Sequence, residues 1–593
     1  LQYESILLDD SKELMQIINA IPDNSIVAFD TETTNIDVTT ASIVGFSFCI
    51  DDSKAYYVPI GHFYLGVPNQ ISINDAKVAI LKLNTHKLVL QNYKYDYEII
   101  KRNFNIDLNL FADTMILAWL VDSGSAVGLD KLSVRYFDHN MIAFKDVVKK
   151  GQNFSAIDVE KACEYASEDA LMTYKLYFYL VEKLKNDENN DILKEAFDIE
   201  FPFIDVILEM QRNGITINTD FFKQLEAKNK IRLNQLEESI YELSQQKFNI
   251  NSPKQLGVIL FEVLNLPPSK KTKTGYSTNE SVLSKLQGSH KIIDFLMEYR
   301  HLAKLQSTYV IPLLTLALED KNHKVYTSFL QTGTATGRLS SKNPNLQNIP
   351  VRSHLGKEIR EGFVASQGNV LVGIDYSQIE LRLLAHFSQD QALLDAFNSG
   401  ADIHHQTAVH IFGEDEAKEK RNIAKSINFG LLYGMGARKL GGTLGISAKE
   451  AKEYIDSYFE AFPTIKDYLK SIEEYVFENG FVSTLLKRKR YFDFNSANGM
   501  QKAGYLREAV NTVFQGSAAD LIKLSMIEIY KQYKNSDDIK ILLQIHDELI
   551  FEISENNVDT IKENLLNIMK NVYKLDVPLD CSVCVAKSWG GLK

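Results

Sequence analysis

Asn369–Phe387, NVLVGIDYSQIELRLLAHF, decides how this 593-residue chain is read. The apolar run up to Ile374 reads as a buried strand that ends on Asp375, and the second half reads as an amphipathic helix. A carboxylate where a buried strand ends is not what a core wants. A second acid site follows in Lys540–Ile553, KILLQIHDELIFEI, where His546, Asp547 and Glu548 interrupt two apolar runs. This reads as a hairpin with acids at its tip. An ordinary polar turn is the plain alternative, but such turns usually carry Asn-Gly or Asp-Gly, so a His-Asp-Glu run points to a site.

Between the two lies EKRNIAKSINFGLLYGMG, Glu419–Gly436. Arg421, Lys425, Phe429 and Tyr433 follow one another at intervals of four, in one slowly turning stripe of a helix. Read alone, the stripe is an amphipathic helix with core aromatics and solvated cations. Two cations followed by two aromatics also suit a triphosphate followed by a base pair.

Toward the N-terminus the chain reads as α/β. Ser25–Thr33, SIVAFDTET, is a strand running into Asp30 and Glu32, which share one face at i, i+2. Two such carboxylates repel unless a cation lies between them. Asp96 follows in QNYKYDYEII, then Tyr165 and Asp169 in YASEDA, four apart on one helical face. Each alone reads as a solvated strand end or helix surface. Together they would make a four-carboxylate, two-metal site with a tyrosine beside it, suited to cleaving phosphodiesters. The polar stretch Lys183–Asp191 reads as an interdomain linker, or as a helix–helix loop.

Length and composition bound these readings. At roughly 150 residues per domain the chain holds about four units. Apolar and charged fractions of 45% and 24% are ordinary for globular proteins, which excludes disordered and collagen-like classes. Four cysteines suit a reducing compartment. No apolar run is long enough for a membrane span, and LQYESILLDD does not read as a signal peptide. Position 1 is not Met, so a processed or truncated piece is expected. A net charge of −12 does not exclude a local basic cleft. Only 14 of the 65 basic residues are Arg, so where they fall is informative.

The motifs DYSQIELR, R-x-x-x-K-x-x-x-F-G-x-x-Y-G and QIHDE, in this order, resemble motifs A, B and C of the family A DNA polymerases. TGRLSSKNPNLQNIP (Thr336–Pro350) and REAVNTVFQGSAAD (Arg507–Asp520) match as well. The N-terminal acids resemble the tyrosine-bearing proofreading exonucleases, and the similarity covers nearly the whole chain, from near the start of the large, Klenow-type fragment. The implied fold class is α/β and α+β multidomain. An RNase H-like 3′–5′ exonuclease domain (1–189) precedes a right-hand polymerase domain (190–593). The thumb lies at about 221–320, the palm at about 190–220, 321–380 and 503–593, and the fingers at about 381–502.

The resemblance also implies roles. Asp375, the Tyr376 carbonyl and Asp547 would hold two Mg²⁺ ions, with Mn²⁺ able to substitute, and Glu548 would be a neighbouring acid. Arg421, Lys425 and His404 would grip the triphosphate. Phe429, Gln378, Glu380 and Tyr433 would line the nucleotide, with Glu380 closing off the ribose 2′ position. Arg338, Arg507, Asn511, Gln515 and His546 would meet the primer–template minor groove, and Arg352 the nascent pair. Five arginines, these three with Arg382 and Arg421, would form a phosphate and duplex surface. In the exonuclease, Asp30, Glu32, Asp96 and Asp169 would bind two metals and Tyr165 would orient the attacking water. Ile36 and Phe144 would wedge the frayed end. Phe at position 429 implies rejection of dideoxynucleotides.

The expected partners are primer–template DNA and dNTPs, with no membrane, acting as a monomer. The Lys bias fits an AT-rich genome, so the bacterial cytoplasm at the nucleoid, or a DNA-containing organelle, is the expected location. A single-subunit RNA polymerase and a nuclease with a nucleic-acid-binding module are the alternatives; Glu380 opposes the first and the intact motifs the second. Two features depart from the pattern. The cation run Lys487–Arg490 reads as a solvated loop or a DNA backbone contact. Cys581 and Cys584 read as buried strand cysteines on opposite faces rather than a metal site.

Overall fold

The computed structural model describes residues 2–185, 191–268, 271–273 and 275–592. The N-terminal unit is built on six strands: β1 (Glu4–Leu7), β2 (Ile26–Thr33), β3 (Ile43–Cys49), β4 (Lys54–Pro59), β5 (Lys87–Leu90) and β6 (Leu110–Asp113). They lie in the order β1-β4-β3-β2-β5-β6. β2, β3 and β4 pair antiparallel and the outer pairs parallel. Every residue of β3 is buried, because helices cover both sheet faces and leave no side for polar alternation. α1 (Tyr93–Phe104) and α3 (Val159–Lys185) carry candidate site residues, and α2 (Thr114–Val121) carries Trp119. α3 lies across β2, β3 and β4, and the core includes Val27, Phe29, Phe46 and Phe48.

The expected linker begins inside helix: Lys183–Lys185 close α3, and a new helical stretch opens at Asp191. Residues 186–190, and with them the expected boundary at 189, lie outside the described residues. The stretch from Asp191 contains one π-turn, Ala196–Glu200, then α4 (Phe201–Asn213) with Pro202 in its first turn. Proline is tolerated there because that N–H has no helical partner. Gly214, in the positive-φ region, ends the helix.

The long pair α5 (Thr219–Ser244) and α6 (Lys291–Leu305) packs side by side. A separate apolar cluster that includes Ile240, Leu260, Leu283, Ile292 and Leu296 sits at one end. The segment between Asn265 and Thr278 contains a short strand pair, Lys271–Thr272 with Gly275–Tyr276; Ser269, Lys270 and Thr274 lie outside the described residues.

The C-terminal half centres on an antiparallel sheet of β7 (Asn369–Tyr376), β8 (Ile539–Ile545), β9 (Glu548–Ser554) and β10 (Cys581–Ala586), ordered β8-β9-β7-β10. Helix α7 (Ile379–Ser388) follows β7. Helices α8 (Ile403–Phe412) and α9 (Glu414–Leu432) form a tight pair about Gly413, α10 (Gly499–Tyr533) runs past α7, and α11 (Val558–Asn571) backs the sheet. β10 is an edge strand with one open face. Cys584 is therefore exposed and Cys581 only half-buried, which corrects the expectation that both are buried.

Candidate active sites

The N-terminal site forms where β2 ends. Asp30, Glu32 and Asp169 bring carboxylate oxygens within 4.8 Å of one another. Asp30 pairs with Ser47 and Glu32 with Gly45 in the β2–β3 register, so strand periodicity puts both acids on one face. α3 crosses that face and delivers Asp169. Asp96, on α1, stands beside this trio rather than within it. Its Oδ1 accepts hydrogen bonds from the Thr31 amide (3.1 Å) and hydroxyl (2.6 Å). Burial pushes Asp30 up to about 7. Burial, then the charge of their neighbours, raises Glu32, Asp96 and Asp169 well above the carboxylate range. Glu32 Oε1 is buried without a hydrogen-bond partner among the described residues. Crowded, desolvated and orphaned oxygens of this kind suit a divalent cation. Tyr165 lies one helical turn before Asp169. Phe144, 53% exposed, sets its ring 6.3 Å from that of Tyr165, and Ile36 is 93% exposed.

The second site forms at one end of the C-terminal sheet. The β7–β9 register sets Asp375 opposite Glu548. The hairpin turn is the two residues His546 and Asp547, with His546 at φ 54°. Glu548 is thus the buried first residue of β9, and only His546 and Asp547 form the tip. Gly373 makes room for it: a Cβ there would meet Glu548 Oε1 at 2.6 Å. Asp375, His546, Asp547 and Glu548, with Arg360 and Trp589, line a cleft of about 140 Å³. Tyr376 turns its side chain away, its hydroxyl donating to the Met569 carbonyl (2.6 Å).

Arg338 reaches over this end, with Nη2 3.5 Å from Glu380 Oε1 and 3.6 Å from Asp547 Oδ1. Glu380, in the first turn of α7, is 4% exposed and accepts a hydrogen bond from the Tyr433 hydroxyl (2.7 Å). Burial raises its carboxyl; the Tyr433 bond and Arg338 oppose the rise. Gln378 caps α7 in the left-handed region. Gln347 donates from Nε2 to the Gln544 carbonyl (2.9 Å), tying Thr336–Pro350 to the strand before the hairpin.

α9 carries Arg421, Lys425 and Phe429, but Tyr433 lies just past its end as the C-cap. Arg421 donates to Asp402 (2.6 Å). His404 is buried, with Asn428 Nδ2 3.0 Å from its Nδ1. Burial, then the charge of Arg421, brings His404 down to about 4, so it is neutral at pH 7. Its ring lies 5.6 Å from that of Phe429. Arg507 packs beside Gly434, where a Cβ would come within 2.9 Å of its Cγ. Asn511 and Gln515 follow on the same helix α10 at intervals of four, and Arg352 is exposed.

Known proteins place the chain in a family. The family described as DNA polymerase family A matches residues 219–591. The chain belongs to DNA polymerase family A. A second family, described as 3′-5′ exonuclease, matches residues 6–185. DNA polymerase I of Borreliella burgdorferi is 39% identical over 591 residues, covering 98% of this chain and 64% of that protein. DNA polymerase I of Helicobacter pylori strain J99 is 46% identical over 561 residues, covering 93% and 60%. The chain thus spans less than two thirds of the length of these curated relatives. The solved POL domain of Pol1 from M. smegmatis, in complex with DNA primer-template and dNTP, superposes with a TM-score of 0.84 at 30% identity, over 99% of each chain.

Within this family A chain, two sequence expectations fail for one reason, which is burial. Arg382 is not on a phosphate surface: it donates to the Ser377 carbonyl (2.8 Å) and stands over the Phe397 ring. Arg488, from the run Lys487–Arg490, is neither solvated nor a DNA contact. Its side chain is 4% exposed and paired with Asp520. Sequence reasoning also missed Trp119 and Glu200, which stand beside Arg488, and Lys523, which pairs with Glu200. The only local signal was an Arg within a Lys-biased chain.

Proposed function

We propose that this chain is a DNA-dependent DNA polymerase that extends a primer 3′ end with dNTPs and proofreads with a 3′–5′ exonuclease, in replication or repair. Residues 1–189 form the exonuclease. Residues 190–593 form the polymerase, with thumb, palm and fingers at the ranges expected from sequence. It works as a monomer on primer–template DNA, in the bacterial cytoplasm or a DNA-containing organelle. No helix among the described residues is long and apolar enough to cross a membrane.

One observation carries this reading. Asp375, Asp547 and Glu548 meet at one end of a sheet, under Arg338, Glu380 and Tyr433. Arg338 Nε and Asp547 Oδ1 are buried there without hydrogen-bond partners among the described residues. Unsatisfied donors and acceptors at one point suit an anionic, cation-bound substrate. Asp375, Asp547 and the Tyr376 carbonyl would hold two divalent ions, as would Asp30, Glu32, Asp96 and Asp169. Mg²⁺ or Mn²⁺ held there would supply Lewis-acid chemistry, lowering the pKa of the primer 3′-hydroxyl or the hydrolytic water and offsetting charge on the leaving oxygen.

The chain's own side chains do the rest. Arg421, freed from Asp402, grips the triphosphate bidentately and Lys425 adds a point charge. His404 backs them, Phe429 and Gln378 hold the sugar and base, and Tyr433 stands at the templating position. The 3′-hydroxyl oxygen then bonds to the α-phosphorus as pyrophosphate leaves. Arg338, Arg507, Asn511, Gln515 and His546 hold the duplex, and Arg352 the nascent pair. Tyr165 orients the hydrolytic water, and Ile36 and Phe144 part the frayed end.

The test is a labelled, 3′-mismatched primer on a longer template with Mg²⁺. Shortening without dNTPs and full-length product with them is expected, with no product from NTPs. Asp375→Asn should lower extension by about two orders of magnitude, some 3 kcal/mol of transition-state stabilisation, and leave shortening intact. Undiminished extension by that variant would remove Asp375 from the site.

A further inference from the structure

Beneath the loop Thr334–Arg338 lies a cluster of buried charges from three parts of the chain. Glu195 and Glu200 come from the helical stretch before α4, Arg488 from a hairpin turn, and Asp520 and Lys523 from α10. Arg488 donates from Nε to Asp520 Oδ1 (2.8 Å), and from Nη2 to the carbonyls of Thr336 (3.1 Å) and Gly516 (3.0 Å). Lys523 donates to Glu200 Oε1 (2.8 Å). Against its burial, Lys523 and Arg488 hold Glu200 down to about 2. Burial and the Glu200 charge push Glu195 well above the carboxylate range. Two basic side chains, Arg488 and Lys523, thus face three carboxyls, Glu195, Glu200 and Asp520.

Stability alone does not explain such a cluster, since apolar side chains of like volume commonly do as well. Its geometry does. Gly337, at φ 95°, lies flat on the guanidinium, and a Cβ there would fall 2.2 Å from Arg488 Nη1. The Thr334 carbonyl accepts from Trp119 Nε1 (3.0 Å), an indole of the exonuclease domain. That ring also faces Arg488 and Lys523, at 5.4 and 5.1 Å from its centroid. The Thr334 hydroxyl donates to the Arg338 carbonyl (2.8 Å). The loop is thus fastened from below, while the Arg338 side chain reaches Glu380 and Asp547.

We propose that Arg488 is a positioning residue which, with Trp119, fixes the Thr334–Arg338 loop and so sets Arg338 against Glu380 and Asp547. The polymerase site then depends on how the exonuclease domain is seated. This rests on the polymerase reading above.

The test uses the whole chain. Arg488→Lys keeps the charge and loses the planar fork; Trp119→Phe keeps a ring and loses the N–H. Extension of a matched primer and digestion of single-stranded DNA are measured for each, alone and with Arg338→Ala. Extension kcat should fall about tenfold or more for Arg488→Lys and about threefold for Trp119→Phe, with digestion within about twofold of the unmodified chain. Adding Arg338→Ala to Arg488→Lys should cost no more than Arg338→Ala alone, because coupled residues are not additive. Unchanged extension by folded Arg488→Lys, losses that multiply with Arg338→Ala, or digestion falling in step with extension would each overturn the proposal. If Arg488→Lys does not fold, Trp119→Phe decides by the same criteria. An unmodified chain that fails to extend a primer overturns the polymerase reading instead; one that extends, with a silent Arg488→Lys, overturns only this inference.

Discussion

Glu380 is a carboxylate almost wholly out of water, held between the Tyr433 hydroxyl and the Arg338 guanidinium. Its rigidity follows from those two partners. Tyr433→Phe removes one bond, worth about 1 kcal/mol. Discrimination against NTPs in single-nucleotide extension should then fall roughly fivefold, less than with Glu380→Ala. Equal selectivity of Tyr433→Phe and the unmodified chain would show that Arg338 alone holds Glu380. Phe429 is a separate case. Its ring lacks a hydroxyl to replace the missing 3′-hydroxyl contact of a dideoxynucleotide, so Phe429→Tyr should relax rejection of these analogues. Equal incorporation of both kinds by the unmodified chain would refute this.

At the scale of elements, β7 and the β8–β9 hairpin form the site because their register sets Asp375 against Glu548. Gly373 is the tight point of that pairing. Gly373→Ala would drive a methyl into Glu548 Oε1, with β7 fixed between neighbours on both sides. A cost of about 1–3 kcal/mol is expected, read as a lower midpoint in denaturant and a slower extension. A variant as stable and active as the parent would mean that Glu548 moves aside freely and has little part in the site. These elements were legible in the sequence, because β7, β8 and β9 each carry a continuous apolar run and the hairpin acids interrupt it. The cap role of Tyr433 was not legible, because spacing by four does not say where a helix stops.

For the whole molecule, the buried carboxylates Asp30, Glu32, Asp96 and Asp169 link stability to pH and, under the proposed function, to metal. Unfolded carboxyls titrate near 4, whereas burial raises Asp30 to about 7 and its three neighbours also upward. Raised folded values stabilise the protonated form, so this contribution is complete below about pH 4 and is lost as pH rises through about 7. The metal-free Tm of the N-terminal unit should therefore fall between pH 5 and 7.5, and Mg²⁺ should restore more at pH 7.5 than at 5. Asp30→Asn should raise the metal-free Tm at pH 7.5 and shrink the Mg²⁺ effect. A Tm shift by Mg²⁺ that is equal at both pH values would count against metal binding by this cluster.

The sequence by itself determined β2, β7 and the β8–β9 hairpin and the acids at their ends, since periodicity and strand-end carboxylates are local properties of the chain. It also carried the family motifs in their order. Only the tertiary structure decided that Asp169 joins Asp30 and Glu32 while Asp96 stands beside them. It decided too that Arg382 and Arg488 are buried and that Trp119 reaches the Thr334–Arg338 loop. Burial and partnership are set by what distant segments bring alongside a residue, and the spacing of its own neighbours does not contain that.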